Sequence, residues 1–457
     1  MWRVGVAMTV RVGAFEEVTG ADGATAPFYV LRFDRQGASE GPRTQAEFVR
    51  TATGGDFTDL YLFSHGWNNT FDIALQRYRD FIGGFRQLRI DRGLEFDRPY
   101  RPILAGIVWP STSYVFPWED GPTFAASTTF DESVLIREIA DDLSDASRAA
   151  FYELLDVDEY LTEAEARRLA ATLVESYSEG DADVGNDARL SVGAVMAGWR
   201  PMSDEADDEL FVAEDPDAMG TQTSPQIPAT VEVEAAGLFS KYDPRQLLRL
   251  FTVRKMKDRA GRIGFSGVGP MLDEIVATMP TLNVHVTGHS YGARVLLSAV
   301  CSSTRPIAVS SMLLLEPAVS HLCFADAVPG TGRPGGYRAA LERVQMPILS
   351  TFSAHDFPLT RVFHLALNRS EDLGEAQIAA DDPPSIYAAL GGYGPRGVGQ
   401  GRSEIVTVRE PGDPYDLDAD APDIYGVDAT RTISGHGAVS VPSTWWAQYC
   451  LTAAVSG

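Results

Sequence analysis

The sequence predicts an α/β protein with a mostly parallel central sheet flanked by helices. Short apolar runs alternate along the chain with longer runs of amphipathic, helical character, which is the pattern of parallel βαβ units. Several apolar runs end in loops that carry Gly, His, Ser or Asp, and such loops gather at the carboxyl edge of a parallel sheet. A long acidic stretch interrupts the alternation, so we predict one domain with an insertion.

The N-terminal part of the predicted core, residues 1–130, shows the alternation clearly. An apolar run, an amphipathic run and a second apolar run follow one another in the order of a parallel βαβ unit. The elements predicted here are two strands of an edge hairpin, a short helix, a buried strand that ends in a polar, glycine-containing loop, an amphipathic helix and a second buried strand, at residues 3–12, 27–34, 44–53, 59–70, 74–89 and 102–109.

Residues 131–236 are predicted to form an acidic, helical insertion that caps the carboxyl edge of the sheet. Residues 131–155 and 162–176 have the pattern of two helices. The second begins with a capping box, in which the side chains of Thr162 and Glu165 each accept from the other residue's backbone N–H. A stretch of low hydrophobicity with several Gly and Pro residues follows.

The charge of the chain argues against two classes of partner. The formal net charge is −25, whereas nucleic acids and anionic membrane surfaces both attract clusters of Lys and Arg. Residues 131–217 hold 25 acidic and 6 basic side chains, so a cap built from them repels anionic substrates and favours neutral ones. The acidic residues lack the spacing of a calcium loop, and three Cys are too few for a metal site. Neither metal nor cofactor is therefore predicted.

The chain shows no sign of a membrane span or of a cleaved signal. The first ten residues include one basic residue and lack an extended apolar core, and no window of about 18 uninterrupted apolar residues follows. The expected location is therefore the cytoplasm, with secretion by a route that needs no cleaved signal as the alternative.

The C-terminal part of the core, residues 237–457, contains the most informative stretch. Residues 282–287 alternate as a strand, Gly288–Gly292 form a G-x-S-x-G turn, and a helical run continues to residue 297. This order places Ser290 in a strained turn at a helix N-terminus, where glycines leave room for close packing. Further helices are predicted at residues 244–260 and 268–278, and further strands at 311–315, 347–352 and 403–409.

Loops at the ends of predicted strands carry the types of side chain that a catalytic triad needs. A serine needs a base to remove its proton, and the base needs a carboxylate to fix its tautomer. The chain order Ser290, Asp356, His436 is that of one fold that carries this triad. Among seven His, His436 is favoured because it follows the last predicted strand between two glycines. Glu316 is the alternative acid, since it also ends a strand, although the proline after it indicates a turn.

These motifs resemble those of the α/β-hydrolases, most closely the bacterial esterase/lipase-like family of unassigned substrate. That family combines a strand-HG-[FWY]-N-N loop, a W-P-S strand end, a basic helix and a G-H-S-x-G elbow, matched here by His65–Asn69, Trp109–Ser111, Arg254–Ala260 and Gly288–Gly292. The similarity covers roughly 60% of the chain and leaves out the acidic insertion.

The resemblance implies an α/β-hydrolase fold and a role for each matched residue. Ser290 would be the nucleophile, Asp356 the triad acid and His436 the general base. The backbone N–H groups of Trp67 and Tyr291 would form the oxyanion hole. The implied reaction is cleavage of a carboxylic ester through an acyl-serine intermediate, without metal or cofactor. Amide and thioester cleavage share this chemistry.

Aromatic residues near the predicted edge suggest the kind of substrate. Tyr114 and Trp118 would contribute to an apolar wall for an acyl or alkyl group, so the predicted substrate is a small-molecule ester that is apolar in its acyl part and, because of the acidic cap, neutral. The alternative is that they pack the insertion onto the sheet. Two further functions stay open from the sequence: a catalytically silent scaffold whose acidic insertion binds a basic protein, and a lipase-type antibacterial effector.

Overall fold

A nine-stranded sheet forms the centre of the protein in the computed structural model. The structure describes residues 12–20, 23, 25–111, 136–137, 139–140, 143–155, 161–175, 191–193, 195–196, 242, 244–362, 388–418 and 420–455. Strands β1 to β9 span Glu16–Thr19, Thr25–Arg32, Asp59–Ser64, Pro102–Val108, Asn283–His289, Ser311–Leu315, Ile348–Phe352, Ser403–Thr407 and Ile424–Asp428. Their order across the sheet is β1-β2-β4-β3-β5-β6-β7-β9-β8, and every pair is parallel except β1 with β2.

Helices cover both faces of this sheet. Helices α1 to α10 span Pro42–Gly54, Phe71–Arg92, Asp145–Leu155, Glu163–Glu175, Pro244–Ile263, Gly269–Thr278, Tyr291–Ser302, Ala340–Arg343, Leu390–Tyr393 and Pro442–Ala454. A π-helical segment, Gly264–Val268, joins α5 to α6, and a second lies at Pro358–Val362. Helices α1, α5, α6 and α7 contribute to one hydrophobic cluster, while α2 and α10 contribute to another. The fold is therefore a layered α/β structure.

Strand β3 shows why both faces must be covered. All six of its residues are buried. Leu60 and Leu62 belong to the cluster with α7, whereas Tyr61 and Phe63 belong to the cluster with α2, because successive side chains of a strand point to opposite faces. Continuous apolar strands of this kind occur in parallel sheets with helices on both sides.

The predicted α/β fold class is confirmed, with two corrections at the edges. The hairpin strand that pairs with β2 is β1 at Glu16–Thr19, and residues 3–11 of the predicted strand lie outside the described residues. The run at 403–409, predicted to be the last strand, contains β8. A further strand, β9, follows it in the chain and lies between β8 and β7 in the sheet. Strand β9 is only five residues long and follows a Pro- and Asp-rich connection, so the alternation of apolar and polar residues did not predict it.

Only part of the predicted insertion can be described. The capping box at the start of α4 is present: the Thr162 N–H donates to Glu165 Oε2 at 2.8 Å, and the Glu165 N–H to Thr162 Oγ1 at 3.3 Å. Both predicted boundaries of the insertion, at residues 131 and 236, lie outside the described residues. Among the helices that the structure describes, none combines the length and the apolarity needed to cross a bilayer.

Candidate active site

Ser290 lies in a tight, strained turn between β5 and α7. Its φ is 54° and its ψ −124°, a conformation that residues with a Cβ rarely adopt. A Cβ at Gly288 would lie 2.7 Å from Ala293 Cα, and one at Gly292 would lie 2.1 Å from the Ser64 carbonyl oxygen. Glycine is therefore required at both positions of the G-x-S-x-G motif. The turn holds Ser290 at the carboxyl edge of the sheet, at the positive end of the α7 dipole.

The structure brings the three predicted triad side chains into one hydrogen-bonded chain. The distance from Ser290 Oγ to His436 Nε2 is 2.8 Å, and His436 Nδ1 lies 2.6 Å from Asp356 Oδ2. Because a carboxylate only accepts, Nδ1 carries the proton and Nε2 is left to accept from the Ser290 hydroxyl. The Asp356 side chain is buried, whereas 22% of the His436 side chain is exposed.

The backbone around His436 is fixed by two side chains from other elements. His289 Nε2 lies 2.6 Å from the His436 carbonyl oxygen, and Arg77 on α2 donates to the Gly437 carbonyl oxygen at 3.1 Å. Burial, together with the charges of His436 and Arg77, holds the pKa of His289 well below its usual value, so its ring is neutral and Nε2–H is the donor. Nothing in the sequence pattern singles out Arg77 for this role.

The loop His65–Asn69, after β3, packs directly against Ser290. A Cβ at Gly66 would lie 2.7 Å from the Ser290 Cβ. The Gly66 carbonyl oxygen accepts from Asn69 Nδ2 at 3.1 Å and from His65 Nδ1 at 2.8 Å. That carbonyl and the Trp67 N–H belong to one planar trans peptide and point in opposite directions. Fixing the carbonyl therefore fixes the direction of the N–H predicted for the oxyanion hole.

The W-P-S motif after β4 supports this loop. The Trp109 indole N–H donates to the His65 carbonyl oxygen at 3.0 Å, and the Trp109 backbone N–H to His65 Nε2 at 3.3 Å. Burial lowers the pKa of His65 to about 4, so its neutral ring donates from Nδ1 and accepts at Nε2. The Ser111 hydroxyl accepts from the Asn69 N–H and donates to the Asn69 carbonyl, both at 3.1 Å. The two motifs thus form one rigid unit.

The other predicted site residues are placed only in part. The Trp67 and Tyr291 rings approach to 6.4 Å between centroids, so the two proposed oxyanion donors belong to neighbouring residues around Ser290. Tyr114 and Trp118 lie outside the described residues. The sequence motif contained Asn69, but its role in holding Gly66 emerges only from the structure.

The geometry joins a hydroxyl, an imidazole and a carboxylate at the carboxyl edge of the sheet. Comparison of the chain with protein-family models, curated proteins and solved structures finds no match. The chemistry must therefore be inferred from the chain's own residues. A hydroxyl whose proton can pass to a neutral imidazole, itself oriented by a carboxylate, is an activated nucleophile.

One set of described residues also has the spacing of metal ligands. Ligand atoms of Glu316, Asp356 and His436 all lie within 4.8 Å of one another. However, Asp356 Oδ2 and His436 Nδ1 are 2.6 Å apart. A metal bound at roughly 2.0–2.2 Å to each atom would separate them by about 3 Å or more. In this arrangement the pair shares a proton, so a metal does not fit between them.

Proposed function

We propose that the protein is a serine hydrolase of the α/β-hydrolase fold that cleaves carboxylic esters. The observation that carries the proposal is the hydrogen-bonded chain from Ser290 through His436 to Asp356, with Ser290 raised on a strained turn. The resemblance of the sequence motifs to the bacterial esterase/lipase-like family supports the same reaction.

Each side chain has one task in the proposed reaction. Ser290 Oγ attacks the ester carbonyl carbon while its proton passes to His436 Nε2, and Asp356 stabilises the imidazolium. The oxyanion that forms is stabilised by the N–H groups of Trp67 and Tyr291. The C–O bond to the alcohol then breaks, and His436 protonates the leaving oxygen. Water, deprotonated by His436, attacks acyl-Ser290 and releases the carboxylic acid, which restores the hydroxyl.

The charge of the insertion favours a neutral substrate. Residues 131–217, which the sequence predicts to form a cap, hold 25 acidic and 6 basic side chains, and such a charge would repel phosphorylated or carboxylate-bearing ligands. A panel of p-nitrophenyl esters of rising chain length should therefore show turnover of uncharged acyl groups and poor turnover of succinylated ones. Equal turnover of neutral and anionic esters would contradict this part of the proposal.

A fluorophosphonate probe tests the proposal directly, because it labels only an activated serine. The wild type should be labelled, and Ser290→Ala should abolish labelling with an unchanged circular dichroism spectrum. Ser311→Ala is the matched control, because Ser311 Oγ also lies 2.7 Å from a histidine nitrogen, that of His285. It should keep full labelling. A folded wild type that never labels would reject the hydrolase and favour a silent scaffold.

A further inference from the structure

Glu316, at the end of β6, is a buried carboxyl group in an unusual position. Its φ is 46°, and its side chain is fully buried. Its backbone N–H donates to Thr351 Oγ1 at 3.0 Å, and Gly391 packs so closely that a Cβ there would lie 2.4 Å from the Glu316 carbonyl carbon. Among the described residues, no N–H group or hydroxyl donates to its carboxyl oxygens. Burying a carboxyl group without a hydrogen bond costs free energy, so we expect a hydrogen-bond partner nearby.

The partner available is Asp356. Carboxyl oxygens of Glu316 and Asp356 lie within 4.8 Å of each other and of His436. Asp356 already accepts from His436 through Oδ2 and from the Leu359 N–H, at 2.9 Å, through Oδ1. Two acceptor groups attract each other only when one carries a proton, and two buried carboxyl groups at this spacing do not both ionise.

The surroundings decide which carboxyl group holds the proton. Burial, and then the hydrogen bond and the charge of Asp356, raise the pKa of Glu316 well above its usual value. Burial acts in the same direction on Asp356, but the charge and hydrogen bond of His436 outweigh it, helped by Glu316 and the Leu359 N–H, so the pKa of Asp356 is lowered. Asp356 is therefore the carboxylate and Glu316 the neutral acid.

We propose that Glu316 is a positioning residue of the candidate site: its protonated carboxyl group donates a hydrogen bond to Asp356 and holds that carboxylate against His436. The catalytic consequence rests on the proposed hydrolase function. With donors on three sides, Asp356 cannot rotate away from His436 Nδ1 when the imidazolium forms. Because Glu316 is neutral, it adds no second negative charge beside the histidine. Glu316 is thus not the triad acid but the group that orients it.

Two substitutions of similar volume separate a hydrogen-bonding role from simple filling of space. Glu316→Leu keeps an apolar group of similar size but removes the donor, so kcat for p-nitrophenyl acetate should fall about tenfold at unchanged KM. Glu316→Gln should recover most of that loss, because its amide N–H donates to Asp356 without a charge. Equal kcat in Glu316→Leu and the wild type would overturn the positioning role.

Infrared difference spectroscopy tests the same hydrogen bond without any turnover. At neutral pH the wild type should show the carbonyl stretch of a protonated carboxyl group that is missing from Glu316→Gln. The band should shift in Asp356→Asn, because its acceptor changes from a carboxylate to an amide. Absence of the band, or a band unmoved by Asp356→Asn, would overturn the proposal even if Glu316→Leu fails to fold. A wild type that shows the band but never reacts with the fluorophosphonate would instead reject the hydrolase function alone.

Discussion

The described residues include two hydrogen-bonded chains of Ser, His and Asp, one at the amino edge of the central sheet and one at its carboxyl edge. The carboxyl-edge chain is Ser290–His436–Asp356, and the amino-edge chain is Ser311–His285–Asp59. In the amino-edge chain His285 Nδ1 lies 2.7 Å from Ser311 Oγ, and Nε2 lies 3.0 Å from Asp59 Oδ1. Residue types and distances are thus nearly the same in both.

Their surroundings differ at the serine, at the histidine and in the cation beside the acid, although Asp59 and Asp356 are both fully buried. In the amino-edge chain both His285 and Asp59 are fully buried, and Ser311 lies within a regular strand. Arg98 binds both Asp59 oxygens, at 2.6 and 2.8 Å, so the carboxylate already has a cation. The carboxyl-edge chain has a strained serine and a partly exposed histidine instead. A Ser-His-Asp chain therefore indicates catalysis only where the serine is held in a strained turn, the histidine is partly exposed and no arginine already neutralises the acid.

Replacing the two histidines should produce opposite results. His436→Ala should lower ester turnover by at least about 10,000-fold while the protein stays folded, because Ser290 loses its base. His285→Ala should leave turnover per folded molecule unchanged but lower the free energy of unfolding by about 3 kcal/mol, because buried polar partners lose a hydrogen bond. Initial rates and urea denaturation measure the two effects.

The comparison would break if the two variants behaved alike. Unchanged turnover in His436→Ala would reject the triad as assigned. A large loss of turnover in folded His285→Ala would show that the amino-edge chain is not merely structural. For His285→Ala, active-site titration with the fluorophosphonate counts the competent molecules and so separates a loss of folded protein from a loss of catalysis. Folding of His436→Ala is checked by circular dichroism instead, because its serine is no longer activated and does not react with the probe.

The sequence predicted one of these chains and not the other, for a local reason. Ser290 lies in a glycine-containing turn directly after an apolar run, and His436 lies between two glycines after the last predicted strand, so the local sequence identifies both. His285 and Ser311 lie in ordinary strands, and only the parallel register of β5 and β6 sets them side by side. Pairing between β3 and β5 then brings Asp59 to the same place.

The division of labour between the two acids also required the structure. The sequence identified both Glu316 and Asp356 as acids at the ends of strands, and it favoured Asp356 because of the chain order, the family resemblance and the proline after Glu316. Which acid ionises depends on burial and on the distance between the two, neither of which a linear pattern contains. In contrast, the layered fold followed from the alternation of apolar and amphipathic runs, since those periods determine which faces are buried.

Lowering the pH should reduce the free energy of unfolding, because protonation of Asp59 weakens the interactions at the amino edge. Burial tends to raise its pKa, but hydrogen bonds from Arg98 and His285 lower it to about 2. The folded-state pKa therefore lies below the usual value of 3.8, so the stabilisation is complete above pH ~4 and is lost as the pH falls through about 2, an effect of about 2 kcal/mol.

Urea denaturation of the wild type and Asp59→Asn between pH 7 and pH 2 measures this effect. The free energy of unfolding of Asp59→Asn should be lower at pH 7, and the difference should shrink below pH ~4. Because both proteins share all other carboxylates, their common acid sensitivity cancels. A difference that stays constant over the whole range would show that Asp59 contributes through hydrogen bonds that do not depend on its charge.

The smallest expected effect concerns the loop His65–Asn69, which packs against Ser290. Asn69 Nδ2 donates to the carbonyl oxygens of Gly66 and Trp67, at 3.1 and 2.7 Å, and so holds the peptide whose N–H is the proposed oxyanion donor. Asn69→Ala should misdirect this N–H without removing it, so kcat should fall about tenfold, less than the loss of a whole donor. Gln87→Ala is the control, because it removes an amide whose bond to Asp91 is exposed. If Asn69→Ala lowers the melting temperature but leaves kcat unchanged, Asn69 stabilises the loop without orienting the oxyanion hole.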